Sequence, residues 1–418
     1  MKIFLGLVFW LPLAVFAQTN PPELATWLIN LTGATGYNGI HAEVDSVQYS
    51  NNNVYVRCSG IPAYSIGPWG ANPNRPSNQN YLFRIPRQPA GNTGAKINAP
   101  LGHIGVWKNG VPVYNPLDAI SYNNQNIWHQ NAIVAEARGF DLCLGHPAPG
   151  GRYHHHQNPR CLHTADSTKH SPILGYAFDG LPIYGPYAYA NANGSGGIKR
   201  MRSSYRLRNI AQRQSLPNGT ALAPNQYGPS VDATFPLGFY VEDFEYVKNL
   251  GDLDEFNVRL AATPEYPQGT FAYYVTIDPS GNSVYPYIIG PQYYGVVAQD
   301  NFGNGRVTIT EPVQTYRGPT TRVADLTVTA PHEFTLQQNF PNPFNPTTTL
   351  RFSLPQRETA TLKIFNTFGQ EVKSLISGEV EAGVHQVLFD ATALPNGIYF
   401  YQLKTPSFSQ IRRALLIK

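Results

Sequence analysis

Seven of the eleven histidines fall between residues 129 and 170: His129, His146, His154, His155, His156, His163 and His170. The run Tyr153-His154-His155-His156 is short and extended in character. In a strand, successive side chains alternate, so His154 and His156 share one face and His155 takes the other. Two imidazoles at i and i+2 on one strand reach a single metal ion, and neutral imidazole suits zinc, copper, iron or nickel. Further ligands must come from elsewhere, with His146, His163, His170 and Asp179 nearest in sequence. The expected metal set is His154, His156, His146 and His170, with Tyr153, Asp141 and Asp179 as assisting groups. His155 and His129 rank below these, and His41, His103, His332 and His385 lie far off in sequence or in other segments. The bland reading is a solvated loop or a strand of packed rings.

Cys143 and Cys161 bracket the cluster, and Cys58 is the odd thiol. A Cys143–Cys161 disulfide would close a loop of roughly 18 residues, worth about 3 kcal/mol in the chain-entropy picture. It would hold the histidine strand against the loop carrying His146. The Gly-x-Ser-x-Gly elbow, His-Glu-x-x-His, the phosphate-cradling Gly-rich loop with Lys, and Cys-x-x-Cys are all missing.

The elements that must position these groups are β-hairpins. Gly105-Val106-Trp107-Lys108-Asn109-Gly110-Val111-Pro112-Val113-Tyr114 returns seventy positions later as Gly175-Tyr176-Ala177-Phe178-Asp179-Gly180-Leu181-Pro182-Ile183-Tyr184. Asn-Gly and Asp-Gly between apolar runs are strong hairpin signals. The proline after each turn predicts an edge position for the returning strand. A second echo relates Asp141 to His146 and Tyr153 to His156 with Asp254 to Arg259 and Phe271 to Tyr274. Together they predict two related β units, only the first keeping histidines. One helix is expected over about Ile127 to Arg138, with Gly139 as its cap. Lys199, Arg200, Arg202, Arg206, Arg208 and Arg213 form a basic island, and Glu242, Asp243, Glu245, Asp252, Asp254 and Glu255 an acidic one. Mutual pairing is the plain expectation. Anion capture and calcium binding are the sharper ones.

Composition agrees with a β-rich protein. The 418 residues include 37 Gly, 36 Pro and 26 Tyr, and only 13% are charged, against about 25% in a typical soluble chain. Coiled coils, helical bundles and acidic disordered tails are excluded, and a net charge of +4 gives no case for nucleic acid. Residues 1–17 read as a signal peptide, with Lys2 before an apolar run that ends at Val15-Phe16-Ala17. No later stretch has 18 consecutive apolar residues, so no membrane span is expected in the mature protein. The organisation is then 1–17 signal peptide, 18–315 first domain, 316–332 linker and 333–418 a small C-terminal β-sandwich of short alternating strands.

Two resemblances follow from these segments. Leu336-Gln337-Gln338-Asn339-Phe340-Pro341-Asn342-Pro343-Phe344-Asn345-Pro346, with Leu394-Pro395-Asn396-Gly397-Ile398-Tyr399 and the closing Arg413-Ala414-Leu415-Leu416-Ile417-Lys418, resembles the C-terminal sorting domain of the type IX secretion system. That implies an immunoglobulin-like sandwich over 333–418, export through the periplasm to the outside or the cell surface, and the secretion machinery as partner. Tyr153-His154-His155-His156, the Asp141–Pro147 stretch and His170-Ser171-Pro172 through Gly185-Pro186 resemble the YHYH domain family over most of residues 40–300. The family's second tyrosine is His155 here, which leaves the i, i+2 pair intact and adds a third imidazole. The resemblance implies a fold and a site rather than a reaction.

The expectation is therefore a mainly β, secreted or surface protein that binds copper or zinc through the histidine cluster. The alternatives are a metalloenzyme, hydrolytic or oxidative, using the same site, and a non-catalytic adhesion or glycan-binding module in which the histidines only pack.

Overall fold

The computed structural model describes residues 20–318 and 334–417, apart from 71, 340, 341, 381 and 382. The expected signal peptide (1–17) lies outside the described residues, and so does the expected linker beyond residue 318. The chain divides into two compact units, Met1–Pro319 and Thr320–Lys418.

The first unit is built on an eight-stranded sheet. In chain order its strands are β1 (His103–Trp107), β2 (Pro112–Tyr114), β3 (Gly145–Ala148), β4 (Arg152–His155), β5 (Ile173–Ala177), β6 (Pro182–Tyr184), β7 (Val258–Ala261) and β8 (Thr270–Tyr274). Their order across the sheet is β7-β8-β6-β5-β1-β2-β4-β3. This order is a palindrome about the β1–β5 pair. The pairing Trp107↔Gly175, Val106↔Tyr176, Gly105↔Ala177 joins the two hairpins through a local two-fold. Outward from there, β2 pairs in parallel with β4 and β6 with β8, and each outer strand closes with an antiparallel neighbour.

The seventy-residue echo is thus one hairpin used twice. In both, the turn closes by a glycine N–H to the carbonyl three residues back, Gly110 to Trp107 and Gly180 to Ala177. Those glycines have φ of 81° and 85°, a region that side-chain-bearing residues seldom occupy. The second echo is also real. Asp141 Oδ1 accepts from the amides of Cys143 and Gly145, and Asp254 Oδ1 accepts from those of Phe256 and Val258. Each turn holds a non-glycine residue at positive φ, Leu144 at 64° and Asn257 at 67°.

The edge expectation from Pro112 and Pro182 is corrected. The returning strands β2 and β6 have neighbours on both sides. Proline is tolerated because it opens each strand, and the second ladder begins one residue later, at Val113 and Ile183.

Both faces of the sheet are buried. One packs on a four-stranded sheet ordered Gln314–Tyr316, Val44–Tyr49, Asn53–Cys58, Tyr81–Pro86, through residues such as Val47, Val56, Phe83, Val106 and Tyr176. The other carries Ile104, Trp107, Val113, Tyr153, Leu174, Ile183 and Tyr273 under the long connections. Tyr316, the first residue of the expected linker, sits in a strand paired with Val47.

The helix expected over 127–138 shrinks to Ala132–Ala135. His129–Asn131 is instead a strand paired with Leu117–Ser121. Asn131 ends it and caps the helix, its side chain accepting from the Ile133 amide. The two charge islands pair with each other. Arg213 meets Asp243 in a fully buried bridge at 2.7 Å, Lys199 reaches Asp252 at 2.7 Å, and Arg206 reaches Glu245 at 2.9 Å.

The second unit is a sandwich. A sheet of Thr335–Leu336, Thr347–Leu354 and Gly383–Asp390 faces one ordered Glu371–Val380, Glu358–Phe365, Gly397–Lys404, Ser409–Leu416. Alternating residues such as Leu350, Phe352, Leu362, Ile364, Tyr401 and Leu403 fill its core.

Candidate metal centre

Strand β4 begins the site. His154 and His156 project to one face, and Tyr153 and His155 to the other. The antiparallel partner β3 sets His146 directly opposite His154, so three imidazoles converge on one point. One ligating atom from each of His146, His154 and His156 can be chosen such that all lie within 4.8 Å of one another. The three side chains are almost completely buried.

The tautomers of the strand pair follow from their hydrogen bonds. His154 Nδ1 donates to the Arg152 carbonyl at 2.8 Å and His156 Nδ1 to the Asn115 carbonyl at 2.6 Å. A carbonyl only accepts, so in the neutral rings both protons sit on Nδ1 and both Nε2 lone pairs are free. Those two Nε2 atoms face each other at 2.9 Å. Two lone pairs at that separation repel unless a cation lies with them. Burial makes the proton a poor choice. It drives the His154 basicity well below its usual range and that of His146 down to about 4, with the neighbouring imidazoles pushing the same way.

A fourth donor comes from outside the predicted set. Glu136, the residue that ends the short helix, places Oε2 3.3 Å from both His146 Nε2 and His156 Nε2. Neither Glu136 Oε2 nor His146 Nε2 has an aligned hydrogen-bond partner. The three imidazole nitrogens could hold a metal ion, and the carboxylate oxygen stands close to two of them. Sequence reading missed Glu136 because it was placed inside a longer amphipathic helix. Its spacing of ten residues from His146 carries no motif.

The histidine rings are packed from behind. Tyr114 stacks on His154 with ring centroids 3.8 Å apart, and Phe140 lies against His146 at 4.6 Å. The Cys143–Cys161 disulfide is formed and closes the segment containing both β3 and β4. Cys58 is free and buried, its thiol donating to the Gly110 carbonyl. Burial pushes that thiol far up, away from reactivity.

The remaining predicted residues go elsewhere. His170 does not join the cluster. It packs on Tyr184 and Tyr189, and its Nδ1 bonds the Ser171 carbonyl, because the segment after Cys161 runs toward β5. Tyr153 and Asp141 lie behind the site, where the tyrosine hydroxyl donates to Asp141 Oδ2 at 3.0 Å. Asp141 also accepts from the Gly67 and Gly145 amides, so it sets the turn that delivers His146 rather than touching the donors. Asp179 is in the β5–β6 turn, fully buried and bonded to Tyr273 and Gly295. In the second β unit the registers put Arg259 and Ala272 at the positions of His146 and His154. That half has the frame without the imidazoles.

Fold and site together define a two-unit β protein: a duplicated sheet with a buried histidine cluster in one half, followed by a small sandwich. Residues 82–285 match the family model of the YHYH protein, and residues 338–418 match that of the secretion system C-terminal sorting domain. The chain therefore joins a YHYH domain to a type IX sorting domain. The sorting domain implies export to the outside or the cell surface and contact with the type IX machinery. Among the described residues no helix is long and apolar enough to cross a membrane. No curated protein matches the chain. Among solved structures, PorZ, a surface component of the type IX secretion system of Porphyromonas gingivalis, aligns with 88% of this chain and 59% of its own at 12% identity, with a TM-score of 0.15. At that score the likeness carries no argument.

Proposed function

We propose that this protein is a secreted or surface-displayed transition-metal-binding protein, with copper or zinc held by His146, His154 and His156 and closed by Glu136. One observation carries the reading. Two buried Nε2 atoms, whose lone pairs are free when the Nδ1 of each neutral ring bonds a carbonyl, face each other at 2.9 Å. A cation resolves that repulsion, and the orphaned Glu136 oxygen lies beside it. Four protein donors make a closed site, which favours capture or structural use.

A metalloenzyme is the second reading, favoured by the exposure of Glu136. Its side chain is 32% accessible while those of His146 and His156 are 3% and 5%. The carboxylate is thus the ligand that an incoming molecule would displace to reach the metal.

The test is metal content by mass spectrometry on the full chain, purified without a histidine tag, beside the His154→Ala/His156→Ala double variant. One equivalent of metal in the wild type, absent in the variant, supports the site. No metal after loading with copper, zinc, iron and nickel overturns both readings.

A further inference from the structure

A separate cleft of about 850 Å³ opens in the first unit. That volume lies within the roughly 300–1,000 Å³ range of small-molecule sites. Its aromatic wall is a two-stranded ribbon, Tyr205–Leu207 against Phe244–Tyr246, with Tyr205 directly opposite Tyr246. Alternation puts Tyr205, Phe244 and Tyr246 on one face of that ribbon. Phe244 stacks flat on Tyr285 at 4.2 Å, and Tyr205 meets the same ring edge-on at 5.2 Å. On the ribbon's other face, Arg206 and Glu245 pair with each other.

The rest of the lining mixes aliphatic groups such as Leu117, Ile127, Leu216, Leu222 and Val241 with uncharged amides. Asn126, Asn218 and Gln226 turn side-chain amides to the cleft, while the Asn115 amide already donates to the Ala99 carbonyl and accepts from the Leu117 N–H, and Gln292 donates to Asn98. Among the described residues no lysine or arginine lines the cleft. Glu242 and Glu255 are its carboxylates, and Glu242 takes both the ring Nδ1 and the main-chain N–H of His129. A phosphate or polyanionic ligand has no cation to meet here. A purely apolar ligand would strand the amides. A molecule with apolar C–H faces and many neutral hydroxyls satisfies both walls, with rings against its faces and amides at its edges.

We infer that this cleft binds a neutral saccharide of about two to three sugar units, at a site separate from the metal centre. The two sites share a strand end, since Asn115 lines the cleft and its carbonyl fixes His156. Saccharide binding itself requires no metal.

The test is calorimetric titration of the full chain, in chelator, with cellotriose, maltotriose, chitotriose and mannotriose. At least one is expected to bind with a Kd near or below about 1 mM. Tyr246→Ala and Phe244→Ala each weaken it by at least about tenfold, while Tyr246→Phe and Arg206→Ala leave it unchanged. Circular dichroism and melting temperature check that each variant folds. No heat from any of the four sugars at about 10 mM overturns the inference. So does binding that survives both aromatic truncations.

Discussion

His154 and His156 stand two residues apart on one strand, and their Nε2 atoms approach to 2.9 Å because each ring is turned by a carbonyl behind it. Those carbonyls, from Arg152 and Asn115, belong to main chain rather than to replaceable side chains. The arrangement is therefore written into the backbone pairing of the sheet, and it aims two lone pairs at a common point whatever occupies that point.

In the proposed site Glu136 closes the donor set, so Glu136→Gln would remove the anionic ligand while keeping its shape. The metal affinity is expected to fall by roughly tenfold or more, about 1.4 kcal/mol, with one equivalent still bound at saturation. Competition against a chelator of known affinity measures this. An unchanged affinity would remove Glu136 from the site.

Asp141 acts on the site at a distance. Asp141→Ala leaves the Tyr153 hydroxyl and the amides of Gly67, Cys143 and Gly145 without their acceptor. Stranding several buried donors costs at least about 3 kcal/mol. Urea unfolding should show that loss, and metal affinity should fall with it because His146 follows Gly145 directly. A loss under about 1 kcal/mol would mean that the turn holds its shape without the carboxylate.

The disulfide constrains the segment that carries three of the four proposed donors, His146, His154 and His156. With Cys143 and Cys161 separated by 18 residues, replacing both by serine is expected to cost about 3 kcal/mol. Thiol titration gives a parallel check. The wild type should show no reactive thiol when native and one, Cys58, when unfolded without reductant. Two further thiols under those conditions would show the bridge unformed.

Asp179 predicts a pH dependence. Burial lifts its carboxyl from 3.8 to about 6, against the pull of Tyr273 and the Gly295 amide. Between those values the native state holds a proton that the unfolded state has released. Stability should therefore decline as pH rises from about 4 to about 6 and level off above, by about 3 kcal/mol for this group. Asp179→Asn should lose that segment of the profile when melting curves of the two proteins are compared across pH. A variant whose profile runs parallel to the wild type would assign the titration elsewhere.

The turn at Asp179 has a sister that clarifies the role. Asn109 occupies the same place in the first hairpin, and its Oδ1 accepts from the Val111 amide as Asp179 Oδ1 does from that of Leu181. The turn itself needs only that one oxygen. The second oxygen of Asp179 serves Tyr273 and Gly295, an acquired contact of the second half.

Period-two alternation and Asn-Gly or Asp-Gly turns are local, so the hairpins, the duplication and the sandwich strands could be read from the sequence. The pairing of His154 with His156 was legible for the same reason. Glu136 was not, because its approach depends on how Asn131 breaks a strand into a four-residue helix. His170 was overvalued because nearness in sequence stood in for nearness in space. The central position of Pro112 and Pro182 was missed because parallel neighbours come from segments about 40 and 90 residues away, beyond any local pattern.

The palindromic sheet means that the molecule carries its own blank. Arg259 and Ala272 show which side chains the same frame accepts where no imidazole is present. Exchanging them into the first half, as His146→Arg with His154→Ala, borrows a solution the chain already folds around. The histidine cluster is in this sense a removable cartridge, and the duplicated hairpins are the housing into which it fits.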